Sequence, residues 1–278
     1  MNVVSVIIPA FRAQDTILRA VASLKAQSHA AWQAIVVSDD GFDYAAFLAG
    51  AGFSDPRLVF TSTGRTGSGC HRARNAGLPL VTGEAVTGLD ADDCFAPDRL
   101  ACLVPLARHF GAAADRLDCV DADTGAPLFA APPASDAVIA LDQAAFLTLD
   151  QPLMPLIMRA FVEPRIDGIE LAEDVIANIR LLDRLPAIGW LQKALYTYYI
   201  RRGSLAHSDV SGVRFEAAYA DYLARLQDGD GFGLSPQSRA LAIAGLSRKR
   251  ALNQAFCAAL AADPTLIFQA FVAQRAPA

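Results

Sequence analysis

No uncharged apolar stretch in this 278-residue chain reaches the roughly 18–20 residues that a bilayer-spanning helix requires. The most apolar candidate, residues 251–274, is interrupted by Asn253, Gln254, Asp263 and Pro264. It can at most lie on a membrane surface as an amphipathic helix. Cysteine is scarce as well. Cys70, Cys94, Cys102, Cys119 and Cys257 are odd in number and form no C-x-x-C pair, which argues against a disulfide framework and a structural zinc site and fits a reducing compartment. The first residues lack a basic segment, and their apolar run is soon broken by Pro9 and Arg12, so they do not read as a signal peptide. The expected location is cytoplasmic, with peripheral contact at the inner face of the membrane left open. An excess of positive charge is also missing. With a net charge of −5, no nucleic-acid partner is expected. Finally, no G-x-G-x-x-G follows the first apolar run, and the glycine-rich stretch at residues 64–69 lacks the Lys-Ser/Thr ending of a P-loop. An ordinary dinucleotide fold and an NTPase are both disfavoured.

What is present is enough apolar sequence, 53%, for a substantial core. Residues 3–8 are a β-branched run closed by Pro9 and read as a buried strand. Residues 14–27 place Ile17, Ala20, Val21 and Leu24 at helical spacing, and residues 34–37 form a second buried strand that ends in Ser38-Asp39-Asp40-Gly41. Further strands are expected at 58–60, 84–89 and 196–200, and helices at 70–78, from Pro97 to near Phe110, at 170–185 and over most of the chain beyond Ser204. Residues 117–160 carry no clear pattern. Strands alternating with helices imply an α/β fold with a mainly parallel central sheet, in which ligands bind beyond the carboxyl ends of the strands. The acidic clusters at 39–40 and 90–93 both fall at such ends.

Asp90-Ala91-Asp92-Asp93 follows an apolar strand. If the segment stays extended, Asp90 and Asp92 point the same way and repel unless a cation lies between them. Mg²⁺ or Mn²⁺ would resolve that, drawing its remaining ligands from water and phosphate. The plainer reading is a solvated acidic turn before a helix. A second Asp-x-Asp, Asp121 and Asp123, precedes Thr124-Gly125 and reads as a β-turn.

Val4-Ser5-Val6-Ile7-Ile8-Pro9-Ala10-Phe11, Val36-Val37-Ser38-Asp39-Asp40-Gly41, Arg72-Ala73-Arg74-Asn75-Ala76-Gly77, Gly83-Glu84 and Leu89-Asp90-Ala91-Asp92-Asp93 occur in this order. Together they resemble the family 2 inverting glycosyltransferases with the GT-A fold, over residues 3–205. The resemblance implies a catalytic domain at 1–205 with a helical C-terminal extension at 206–278. It implies that Pro9, Ala10 and Phe11 lie against a nucleotide, that Asp39 or Asp40 contacts its base, and that Arg72 or Arg74 stands near it. Asp90 and Ala91 would face the ribose, and Asp92 would hold a metal bridging the diphosphate. Where the family has Asp-Asp-Gly-Ser, this chain has Asp39-Asp40-Gly41-Phe42, which leaves the choice between Asp39 and Asp40 open. Glu173-Asp174, ahead of an amphipathic helix, is similar to the family's Glu-Asp, whose aspartate is the usual base; acidic residues also populate helix N-termini for electrostatic reasons alone. Residues 198–208 are similar to a basic, serine-bearing closing segment, which makes Arg201 or Arg202 a diphosphate contact and His207 a metal ligand or phosphate contact.

The implied activity is transfer of a sugar from a nucleoside diphosphate sugar, a UDP-sugar first, to a hydroxyl acceptor, a glycan or lipid-linked glycan. Mn²⁺ or Mg²⁺ is the implied cofactor, and cell-surface polysaccharide synthesis is the implied setting. Two rivals stand beside it. A sugar nucleotidyltransferase usually needs a glycine-rich basic loop after the first strand, where this chain has Pro9-Ala10-Phe11. A degenerate transferase kept as a scaffold would show no turnover. The apolar faces of the C-terminal helices fit an acceptor site, a homodimer contact or a membrane contact equally.

Overall fold

The computed structural model describes residues 3–128, 135–169, 171–201, 211–263 and 266–275. The first half alternates strand and helix. β1 (Val4–Ala10) leads into α1 (Ile17–Lys25), which buries Ile17, Ala20, Val21 and Leu24, the positions at helical spacing. β2 (Trp32–Ser38), α2 (Tyr44–Gly50), β3 (Leu58–Ser62), α3 (Cys70–Gly77) and β4 (Ala85–Gly88) follow. The Asp43 carboxylate caps α2 by accepting from the Ala46 N–H, which satisfies one of the donors that a helix start leaves open.

The second half is less regular. It contains β5 (Cys94–Phe95), α4 (Arg99–Phe110), β6 (Ala112–Asp121), β7 (Val138–Leu141), α5 (Gln143–Thr148), β8 (Leu156–Met158), α6 (Glu173–Arg184) and β9 (Ile188–Ile200). Helices α7 (Ser211–Asp228), α8 (Pro236–Ala262) and α9 (Phe268–Ala273) come last.

The sheet runs β3-β2-β1-β4-β8-β6-β9-β5, with β7 also on β9. Its first four strands are mutually parallel. Beyond β4 it is mixed: β8 is antiparallel to β4 and β6, β6 is parallel to β9, and β5 and β7 are antiparallel to β9. The expected strand at 196–200 is therefore only the end of a 13-residue strand. The expected helix at 170–185 begins at Glu173 in the structure, and Glu170 lies outside the described residues. The helix expected from Pro97 begins two residues later, at Arg99.

Ile7, Ile35, Val37 and Val86 form a small core with Ala73 of α3, and the side chains of β6 alternate between two larger ones. Ala113, Leu117 and Cys119 of β6 join the core under β1, α1 and α4, whereas Ala112 and Ala114 join one built with α6, α7 and α8. The helices beyond residue 211 thus share a core with the sheet. A fully buried pair locks the centre: the Arg99 guanidinium donates to both Asp115 oxygens and to the Met154 carbonyl, and Asp115 also accepts from the Leu195 N–H. Among the described residues, no helix is long and apolar enough to cross a membrane.

Candidate active site

Because β1, β2 and β4 are parallel, their carboxyl ends open on one edge of the sheet, where such folds bind ligands. Pro9 and Ala10 close β1, and Phe11 stands 45% exposed just beyond. At the end of β2, Asp39 is only 4% exposed. Its carboxylate accepts from the Thr63 hydroxyl at 2.7 Å, from the Ser68 hydroxyl, and from the Gly69 N–H at 2.9 Å, while its carbonyl accepts from the Gly67 N–H at 2.7 Å. Asp39 thereby pins the glycine-rich loop. Gly67, at φ +67°, turns that loop across the Phe11 ring, 3.8 Å from where a Cβ would sit.

Asp40 organises the other side of the edge. It accepts from the N–H groups of Arg12 (2.6 Å) and Phe42 (3.0 Å) and from the hydroxyls of Tyr44 (3.0 Å) and Ser38 (3.1 Å). Burial pushes its pKa up, but these hydrogen bonds outweigh burial and hold the carboxyl below the usual range. Phe42, where the resembled family has serine, is 37% exposed and packs edge-on against Tyr44 and Phe47. Phe11 and Phe42 are thus two open aromatic rings at the strand ends.

The aspartate cluster differs in one respect from the extended segment expected. β4 ends at Gly88, and the Asp93 N–H donates to the Asp90 carbonyl at 3.0 Å, so residues 90–93 form a tight turn. Tyr196 of β9 fastens it: its hydroxyl accepts from the Asp90 N–H (3.2 Å) and donates to the Asp93 carboxylate (2.8 Å), which also accepts from the Tyr199 N–H (2.9 Å). Ala91 is buried in the core beneath the turn. Burial, and then the Asp90 charge, raise the pKa of Asp92; burial and the charges of Asp90 and Asp92 raise that of Asp93 well above the usual value. The turn therefore brings the carboxylates together without strand alternation.

Crowded carboxylate oxygens suit a hard cation such as Mg²⁺ or Mn²⁺. Among the described residues, no group of three or more His, Cys, Asp or Glu is arranged to hold a metal by protein ligands alone. Such an ion would need donor phosphate and water oxygens as well. His207 and Arg202 lie outside the described residues.

Of the two candidate arginines, Arg74 reaches the centre. Its buried guanidinium donates to Asp90 at 2.6 Å and, from its other arm, to Glu173. Arg72 instead makes a two-pronged pair with Asp167, at 2.6 and 2.9 Å. Arg165 stands 3.2 Å from the other Glu173 oxygen; burial and the neighbouring Arg74 charge bring its pKa down to about 10. Glu173 is thus committed to two arginines. Asp174, next to it in the first turn of α6, has its pKa raised by burial, against the pull of Arg165 and Arg74. Ala172, immediately before, holds φ +50°, a conformation strained for a non-glycine residue and often found at functional sites.

Arg74, Asp90, Asp93, Glu173 and Asp174 all line one cavity of about 280 Å³. Its opposite wall comes from α7, α8 and α9, including Tyr219, Lys249 and Phe256. From sequence the C-terminal helices fit an acceptor site among other uses, but neither the individual residues of that wall nor Arg165 stands out, because isolated residues on amphipathic helices or in a loop carry no motif. The second Asp-x-Asp is a turn, as expected: Asp121 accepts from the N–H groups of Asp123 and Thr124 and from the Thr124 hydroxyl.

Residues 5–126 match the family model described as glycosyl transferase family 2. The chain is 36% identical over 122 residues to the succinoglycan biosynthesis protein ExoO of Rhizobium meliloti, covering 43% of this chain and 34% of that one. Over 97 residues it is 33% identical to the UDP-Glc:alpha-D-GlcNAc-diphosphoundecaprenol beta-1,3-glucosyltransferase WfgD of Escherichia coli, covering 35% of this chain and 38% of that protein. It therefore spans little more than a third of the length of these curated relatives. In three dimensions it is similar to S. aureus TarS residues 1–349 crystallised with UDP-GlcNAc, with a TM-score of 0.68, 18% identity, and coverage of 87% of this chain and 71% of that one. The fold is the α/β GT-A fold.

Proposed function

We propose, from the premise that residues 5–126 belong to glycosyl transferase family 2, that this chain transfers a sugar with inversion from a UDP-sugar to a hydroxyl of a glycan or lipid-linked glycan, in polysaccharide synthesis. The observation that carries the proposal is the single cavity in which Asp90 and Asp174 meet, one from the nucleotide edge and one from α6. The names of the polysaccharide-synthesis relatives and the UDP-GlcNAc complex of the structural neighbour support the choice of donor and setting.

In this reading the base of the nucleotide lies at the edge formed by Phe11, Asp39 and Asp40. Arg74 holds Asp90 and Glu173 in fixed relation, which sets where the ribose side ends and the acceptor side begins. Asp92 would hold Mn²⁺ or Mg²⁺, which when bound stabilises the negative charge left on the departing nucleoside diphosphate. Asp174 accepts the proton of the acceptor hydroxyl as that oxygen attacks the anomeric carbon and the sugar–phosphate bond breaks. A carboxylate lifted by burial is a stronger base than a solvated one, which suits this role. Glu173, already paired, is a positioning residue.

The test is calorimetric titration with UDP, with and without Mn²⁺, followed by turnover of UDP-sugars. Asp174→Asn is expected to keep UDP affinity and to lower turnover by about 10²- to 10⁴-fold. Absence of metal-dependent UDP binding would count against the donor assignment. UDP binding with no turnover in the unaltered chain would favour the scaffold reading.

A further inference from the structure

The family-matched segment ends at residue 126, yet the cavity that holds Asp174 is closed on its far side by helices beyond residue 211. The first of them is tied down at both ends. Near the middle of α7, the Tyr222 hydroxyl donates to the Leu171 carbonyl at 2.6 Å, which fastens the helix to the backbone just ahead of Asp174. At its start, the Asn253 amide of α8 donates to the Gly212 carbonyl at 2.9 Å, and Gly212 packs so closely on the Cys257 sulfur that a Cβ has no room there. Whatever α7 presents to the cavity is therefore held in a fixed relation to the first turn of α6.

What it presents is an unpaired phenol. Tyr219 is 9% exposed and lines the cavity, and among the described residues its hydroxyl makes no hydrogen bond. A phenol buried this far normally finds a partner, as Tyr222 does on the same helix. Burial, and then the Asp174 charge, raise the Tyr219 pKa, so it stays a neutral hydroxyl and cannot replace Asp174 as a base. One helical turn earlier, Phe215 also lines the cavity, and its ring stacks on Tyr219 with centroids 6.2 Å apart and planes at 30°. The pair offers an apolar face with one polar point at its edge. A pyranose is divided the same way, with C–H groups on its faces and hydroxyls round its rim. Core packing alone would be served equally well by phenylalanine at 219, so the hydroxyl is what calls for a ligand.

We propose that Tyr219 is a specificity-determining residue that selects acceptors carrying two adjacent hydroxyls on a sugar ring: Asp174 takes the proton of one, the Tyr219 hydroxyl donates to its neighbour, and the C–H face of the ring lies on Phe215. In the transfer itself Tyr219 keeps its proton. An acceptor with a lone hydroxyl leaves the phenol unpaired and is bound less well. Calling the occupant an acceptor rests on the transferase reading, but the binding of a sugar diol at Tyr219 does not.

The methyl pyranosides of glucose, galactose and mannose, each with its 2-, 3- and 4-deoxy forms, are the probes, and saturation-transfer NMR on the full chain with excess UDP and Mn²⁺ reads their affinities. At least one parent glycoside should bind, and one of its deoxy forms should bind about tenfold more weakly. Tyr219→Phe should weaken the parent by about the same factor yet leave that deoxy form unchanged, so that the two losses do not add. UDP affinity and the denaturation midpoint should stay where they are, because phenylalanine keeps the packing. Phe215→Leu, which spares the hydroxyl, should weaken parent and deoxy forms alike. Every glycoside binding equally to Tyr219→Phe and the unaltered chain, losses that add, or no glycoside bound by the unaltered chain would each overturn the proposal. Turnover of a UDP-sugar with the same acceptor KM in Tyr219→Phe would also overturn it and leave the transferase reading intact. Tyr219-dependent glycoside binding by a chain that does not bind UDP would refute the transferase reading and leave the diol site standing.

Discussion

A carboxylate can take a proton only when it is charged, so the environment of Asp174 sets the pH range over which the proposed reaction runs. Burial lifts its pKa, and the two cations beside it, Arg165 and Arg74, pull it back without cancelling the rise. Activity should therefore fall on the acid side at a pH above the ordinary aspartate value, because protonated Asp174 cannot serve as base. Arg165→Gln removes one of those cations and should move the acid limb further upward, with UDP affinity retained. A kcat/KM profile against pH reads both effects; a limb at the ordinary value, or a downward move in the variant, contradicts the assignment. Arg74 is unsuitable for this experiment because it also holds Asp90.

At the scale of elements, legibility followed local chemistry. β1, β2 and α1 are readable because β-branched runs and helical spacing coincide with their burial. β6 was not, since Ala112-Ala113-Ala114-Asp115-Arg116 has weak strand propensity and carries charge, and what makes it a strand is tertiary: Asp115 is neutralised by Arg99, and β9 pairs along it. The aspartates at 90–93 were legible as a cluster, but their turn geometry depends on Tyr196, which is 106 residues from Asp90. Likewise, α6 was visible as an amphipathic helix, whereas the arginines that distinguish Glu173 from Asp174 come from α3 and a loop.

The packing of α8 on α5 gives a direct test at this scale. Gly245 lies so close to α5 that a Cβ would fall 2.6–2.8 Å from Leu147 side-chain atoms, and Ser238 and Gln143 fix the same helix pair by hydrogen bonds of 2.6 and 2.9 Å. Gly245→Ala should therefore destabilise the protein by ~1–3 kcal/mol, although alanine is the better helix former. A denaturation midpoint equal to or above that of the unaltered chain would show that α5 and α8 are not held in this contact.

Across the whole molecule, two of the three cores, the one under β1, α1 and α4 and the one built with α6, α7 and α8, are joined by β6 and β9, whose residues alternate between them. The chain has two tryptophans, one for each side: Trp32 is buried in the first core, and Trp190 packs against the second. Trp32→Phe and Trp190→Phe each leave a single reporter. If the shared strands make one cooperative unit, the fluorescence transition of each variant should coincide with its own loss of helical circular dichroism. A Trp190 signal lost well before that of Trp32 would mean that the C-terminal helices and their core unfold separately.

The two arms of Arg74 have a genetic consequence. One guanidinium bonds Asp90 on one side and Glu173 on the other, so these carboxylates, 83 positions apart in the chain, have a counter-ion in common, although Glu173 also keeps Arg165. Removing Arg74 should leave both without it, and the penalties of Asp90→Asn and Glu173→Gln should shrink in an Arg74→Met background instead of adding to it. Double-mutant cycles should show coupling of about 0.5–3 kcal/mol for each pair with Arg74. The three positions would then drift as a linked set: a change at either acid alters which residues position 74 can tolerate, and through it what the other acid can become.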